Sequence, residues 1–186
     1  MISQDYLDDT ELRMEEAVEA CRQEMARLRT GRASAALLDG VSVEAYGTRT
    51  PLRQLANVSV PEARLIVVQP YDKSIIGDIE RAINKSDLGL TPNSDGKLIR
   101  LSIPPLTEER RKDLAKVVKK LAEEGKVHIR GIRREANDDL KKAEKDGDIP
   151  EDDARKMQDR VQELTNQFIE KIDNALEDKE KEIMNF

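Results

Sequence analysis

The sequence predicts an α+β protein, a three-helix bundle into which a β/α/β domain is inserted. Three observations carry this expectation. Charged residues make up 38% of the 186 residues, while Phe and Tyr total five and Trp is absent, the balance of long, solvated helices rather than of a thick core. Apolar residues recur at spacings of three and four in three separate segments, which keeps them on one helical face. Between the first and second of these segments the texture changes, because residues 31 to 105 hold six of the seven prolines and a series of short β-type runs.

In chain order, the first helix follows from Leu7 onward, where Met14, Val18, Cys21, Met25 and Leu28 share a face until Thr30-Gly31 interrupts. The insert offers strands at Val41-Ser42-Val43, Val58-Ser59-Val60, Leu65-Ile66-Val67-Val68 and Leu98-Ile99-Arg100-Leu101-Ser102-Ile103. A short amphipathic helix, about Ser74 to Asn84, presents Ile75, Ile76, Ile79 and Ala82, and Asn93-Ser94-Asp95-Gly96 reads as a turn before the last strand. The second helix runs from Thr107, an N-cap candidate behind Pro104-Pro105 with Glu108 and Glu109 in its first turn, to a stop at Gly147. Val118, Ala122, Gly125, Ile129, Ile132, Ala136, Leu140 and Ala143 form its stripe. At ~1.5 Å per residue this helix spans about 55 to 60 Å, a length that calls for antiparallel partners. The third helix opens at Pro150 with Glu151, Asp152 and Asp153 and carries Ala154, Met157, Val161, Leu164, Phe168, Ile172, Ala175 and Leu176. The Lys145-Asp146-Gly147-Asp148 link folds helices two and three into a hairpin, and helix one completes the bundle. The expected domains are therefore residues 1–30 with 106–186, and the insert 31–105.

Several chemistries are set aside. One cysteine, Cys21, closes no internal disulfide, and with one histidine, His128, there is no His/Cys zinc cluster. A reducing, cytoplasmic setting is expected. No apolar run approaches the ~18 residues of a membrane span, and the acidic start Met1-Ile2-Ser3-Gln4-Asp5 reads as neither a signal nor a transit peptide. Neither a G-x-x-x-x-G-K-[ST] loop nor a G-x-G-x-x-G motif occurs, and a Ser-His-Asp triad has no supporting motif. The pairs Asp8-Asp9 and Asp152-Asp153 suit helix termini better than a metal. The expectation is a monomeric protein without cofactor, metal, membrane contact or enzyme activity.

The net charge of −6 hides a split. Residues 110 to 134 hold ten basic side chains against three acids, whereas residues 144 to 186 hold fourteen acids against seven basic side chains. At 100° per residue, Lys116, Lys119, Lys126, Arg130, Arg133 and Arg134 fall within a sector of roughly 100° beside the apolar stripe. For the lysines, pairing with the acidic third helix competes with a ligand role, as it does for charges flanking a coiled-coil seam. The arginines cluster within five residues, and three guanidiniums there form a surface suited to bidentate phosphate binding, which points to nucleic acid or another polyanion. Gly125 falls on the stripe, where close helix approach explains it. Gly131 lies between the arginines, where partner approach and simple tolerance fit equally. His128 borders the stripe and reads as a packed or half-exposed side chain. Arg29, Gly31 and Arg32 at the junction fit a hinge or a second basic contact.

Several ordered motifs resemble the bacterial ribosome recycling factor family. They are Arg29-Thr30-Gly31-Arg32-Ala33-Ser34, Thr50-Pro51-Leu52-Arg53-Gln54-Leu55-Ala56, Ser86-Asp87-Leu88-Gly89-Leu90 leading to Pro92-Asn93-Ser94, Pro104-Pro105-Leu106-Thr107-Glu108-Glu109-Arg110-Arg111-Lys112, and Ile129-Arg130-Gly131-Ile132-Arg133-Arg134-Glu135-Ala136-Asn137-Asp138. The resemblance covers nearly the whole chain. It implies an L-shaped, two-domain molecule whose bundle arm binds the post-termination ribosome. It further implies that this factor, with elongation factor G and GTP hydrolysis on that partner, splits the ribosome into subunits and frees it from mRNA. On the resemblance, Arg130, Arg133 and Arg134 are the contacts to large-subunit ribosomal RNA; Lys126, Lys119 and Lys116, from the charge pattern, complete the expected RNA-binding set. Arg29, Thr30, Gly31, Arg32, Pro104 and Pro105 then form the hinge. The alternative is a coiled-coil protein-interaction adaptor without RNA binding, for which the basic ridge is only a solvated face.

Overall fold

A computed structural model describes residues 4–185; Met1, Ile2 and Ser3 of the acidic start, and Phe186, lie outside the described residues. In chain order the elements are α1 (Gln4–Ala26), β1 (Ser42–Ala45), β2 (Thr48–Pro51), α2 (Leu52–Leu55), β3 (Ala56–Glu62), β4 (Leu65–Pro70), α3 (Ile76–Lys85), β5 (Pro92–Ser94), β6 (Ile99–Ser102), α4 (Glu108–Lys145) and α5 (Glu151–Asn185). They form two compact units, one made of the chain up to Arg29 with Glu108–Asn185, the other of Thr30–Thr107.

The first unit is a three-helix bundle of α1, α4 and α5. Leu7, Met14, Val18, Cys21 and Met25 are the buried face of α1, and Leu114, Val118, Ala122, Ile129, Ile132, Ala136, Leu140 and Ala143 that of α4. Helix α5 buries Ala154, Val161, Leu164, Phe168 and Ile172, and Thr165 joins them because its hydroxyl donates to the Val161 carbonyl at 2.7 Å. That local bond removes the cost of an unpaired buried hydroxyl. The α4–α5 link closes as a Schellman motif: the amide of Asp148 donates to the Ala143 carbonyl at 2.9 Å and that of Gly147 to Glu144 at 3.1 Å, with Gly147 at φ +78°. Glycine suits this left-handed position, which a Cβ would strain.

In the second unit an antiparallel sheet of order β3-β4-β6-β5 packs Ile66, Val68, Ile99 and Leu101 against Ile76, Ile79 and Ile83 of α3. A separate hairpin pairs β1 with β2 through Tyr46-Gly47, both at positive φ, 53° and 76°. This is the double left-handed geometry of a type I′ turn. The Tyr46 hydroxyl donates to Asp72, whose other oxygen accepts from the Ser74 amide at 2.9 Å and caps the 3₁₀ turn that opens into α3.

Three details depart from the sequence expectation. Asn93 and Ser94 are strand residues paired with Arg100 and Ile99, so the turn moves to Asp95-Gly96-Lys97-Leu98. Polar β5 lies at the sheet edge, where pairing with β6 rather than its own hydrophobicity makes it a strand. β2 and α2 are further elements: β2 is polar and largely exposed, and α2 is a single turn, too short for periodicity to register.

Candidate nucleic-acid interface

The basic sector of α4 lies beside its buried stripe, on the side that meets α5. Lys116 and Lys119 are exposed, and the Lys119 ammonium lies 3.8 Å from Glu180 of α5. Lys126 is withdrawn, its side chain only 19% exposed and paired with Asp173 of α5. Two of the three lysines thus link α4 to α5, as charges flanking a helical seam do.

The arginines are placed differently. Arg130 donates through Nη2 to Glu123 of its own helix at 2.6 Å. Arg133 is half-buried and its Nη1 donates to the Gln162 side-chain oxygen of α5 at 3.4 Å, so its stem packs while its charge meets no carboxylate there. Arg134 is exposed and makes no ion pair among the described residues. The three guanidiniums share one stretch of helix face, and a phosphate approaching it meets two arginines not compensated by any described carboxylate.

The glycines divide sharply. A Cβ on Gly125 would lie 3.0 Å from Ile172 Cδ1 and 3.1 Å from Cys21 Sγ, so all three helices converge there. A Cβ on Gly131 would meet nothing within 4 Å. His128 is exposed rather than packed. Burial raises the Cys21 thiol above its usual range.

Sequence spacing gave no sign of the polar links between α1 and α4. Tyr6 donates to Asp139 at 2.6 Å and Arg13 to Glu135 at 2.6 Å. Burial first, then the Asp139 bond, raises the Tyr6 phenol above its ordinary value, so it stays a donor. Partners more than a hundred residues apart leave no local pattern, and helix packing alone brings them together.

A family model described as "Ribosome recycling factor" matches residues 21–184. The chain is 62% identical over 183 residues to the ribosome-recycling factor of Halalkalibacterium halodurans, covering 98% of this chain and 99% of that one. The chain belongs to the ribosome recycling factor family. The ribosome-recycling factor of Bacillus subtilis is 58% identical over the same coverage. Among solved structures, a ribosome recycling factor determined in solution matches with a TM-score of 0.74 at 41% identity, covering 100% of both chains. A second match, at TM-score 0.62 and 45% identity over 98% of this chain and 99% of the other, is described as models for the T. thermophilus ribosome recycling factor and the E. coli elongation factor G bound to the E. coli post-termination complex.

In this member of the ribosome recycling factor family, the junction residues lie outside regular helix and strand: Arg29, Arg32, Pro104 and Pro105 are exposed, and Thr30 and Gly31 are buried. Gly31 has φ +78°, and a Cβ there would lie 3.1 Å from Leu106 Cγ, so the outgoing and returning chains run side by side. The Ala33 amide donates to Ala63 at 2.7 Å and the Ile103 amide to Arg64 at 2.8 Å, which ties both chains to the β3–β4 turn. No described helix is long and apolar enough to cross a membrane.

Proposed function

We propose that this protein is a ribosome recycling factor of the cytoplasm. It binds the post-termination ribosome through the bundle, residues 1–30 and 106–186, and with elongation factor G and GTP hydrolysis on that partner it splits the ribosome into subunits and frees it from mRNA. It acts as a monomer and performs no bond chemistry itself. The observation that carries the interface is the guanidinium row on one helix, Arg134 exposed and Arg130 and Arg133 half-buried, beside the exposed Lys116 and Lys119 and the withdrawn Lys126. Large-subunit ribosomal RNA presents dense phosphate, which such a row neutralises with release of counterions. The inserted domain, residues 31–105, turns about the two connections formed by Arg29, Thr30, Gly31, Arg32, Pro104 and Pro105. Motion is confined to these few residues because Ala33 and Ile103 are fastened to one turn.

The test is binding to purified large subunits across a salt series, alongside thermal melts. Replacing all three arginines by Ala leaves the melt within about ±0.5 kcal/mol per site, since Ala is the best helix former and the sites are not core. The slope of log affinity against log salt shrinks by up to ~0.7–0.9 per residue removed. Among single changes Arg133→Ala is the most damaging, because packing and Gln162 hold that guanidinium in place. Unchanged affinity in the triple variant with an intact melt would leave the ridge a solvated face and favour the adaptor reading.

A further inference from the structure

Glu123 is the only acidic residue in the basic sector of α4 between Lys112 and Lys141, and it is bonded to Arg130 at 2.6 Å. The acids that meet Lys119 and Lys126 come from α5 and so join two helices. Glu123 joins none. Glu123 and its partner Arg130 both belong to α4, seven residues apart, and their side chains are 61% and 37% exposed. A helical side chain leans toward the N-terminus of its helix, so Arg130 already points along the axis toward Glu123. Such an exposed pair does little for stability. Its consequence falls on binding, because it cancels one guanidinium of the phosphate-facing row and places a carboxylate where phosphate would sit.

We infer that Glu123 is an intramolecular competitor of phosphate for Arg130, a residue that limits the affinity of the ridge and keeps the bound factor releasable. This rests on the ridge binding ribosomal RNA. A phosphate engaging Arg130 must displace or share the guanidinium with Glu123, so each binding event begins with one charge masked.

The experiment compares the full-length chain with Glu123→Gln and Glu124→Gln on purified large subunits across a salt series. Gln keeps size and helix propensity in both. Glu124 pairs with Lys120 at 3.9 Å outside the sector, so its variant makes the same change in net charge away from the ridge. Glu123→Gln is expected to bind about two- to five-fold tighter at moderate salt, the equivalent of an exposed pair's ~0.4–1 kcal/mol, with a salt slope steeper by ~0.7–0.9. In an Arg130→Ala background the gain falls to that of Glu124→Gln. Equal or weaker binding by Glu123→Gln, while the triple arginine variant still loses salt-sensitive affinity, overturns the inference and leaves the RNA-binding reading standing. Absence of any salt-sensitive binding by the wild-type chain overturns both.

Discussion

At Gly125 and Gly131, one residue type in one helix answers to opposite constraints. An alanine at Gly131 adds a methyl group in open space and restores helix propensity worth about 1 kcal/mol, so Gly131→Ala raises the melting temperature. At Gly125 the same methyl group presses on Ile172 Cδ1 and on Cys21, whose thiol is held by a bond to the Leu121 carbonyl at 3.5 Å. Overpacking of ~1–3 kcal/mol outweighs the propensity gain there, so Gly125→Ala lowers it. Ile172→Val removes the opposing Cδ1 and should recover part of the loss in the double variant. Thermal melts of the four proteins check this, and a Gly125→Ala protein as stable as Gly131→Ala would show that the helices yield at this crossing.

At the scale of elements, one carboxylate gathers three donors at the turn of the β5–β6 hairpin. Asp95 accepts from the amides of Lys97 and Leu98, each at 2.9 Å, and from Arg100 Nη1 at 2.9 Å, and these bonds lower its pKa from 3.8 to about 2. A depressed carboxylate stabilises the folded form fully above its unfolded pKa. The contribution is lost as pH falls from about 3.8 through about 2. The carboxyl carbon of Asp95 is therefore expected to titrate near 2 by NMR, and Asp95→Asn to flatten the acid limb of unfolding in that window; a midpoint near 3.8 would detach the side chain from the turn.

The same hairpin marks the limit of what the sequence disclosed. Long helices were legible because their stripes repeat over thirty or more residues: α4 has 38 and α5 has 35. The end of α4 was legible because Gly147 is the residue a left-handed cap requires. Polar edge strands such as β2 and β5 were not, since their partners make them strands. Charge periodicity placed the arginine row on one helix face, but it could not tell that Lys126 turns inward to Asp173 or that Arg130 folds back on Glu123. Those are outcomes of side-chain geometry across and along helices.

For the whole molecule, the decisive feature is that each unit encloses its own apolar interior. Among the described residues, the buried cluster in the inserted unit runs from Ala33 to Leu101 with Ile103 packed against it, while bundle residues such as Leu7, Leu140, Ala154 and Val161 pack with one another from α1, α4 and α5. A bundle whose described core cluster is built from α1, α4, α5 and the link between them should stand without the insert. Because Gly31 and Leu106 lie side by side, residue 29 can be rejoined to residue 108 by a flexible linker of about six residues, at ~3.3–3.6 Å each. The excised bundle is expected to give a cooperative, helical melt, because the stripes of all three helices still face inward. It should also keep the salt-sensitive affinity for large subunits, since the whole basic ridge lies on α4. A gradual, non-cooperative loss of helicity would mean that the insert supplies stability to the bundle. A cooperative bundle that no longer binds would instead move part of the ribosome contact onto residues 31–105.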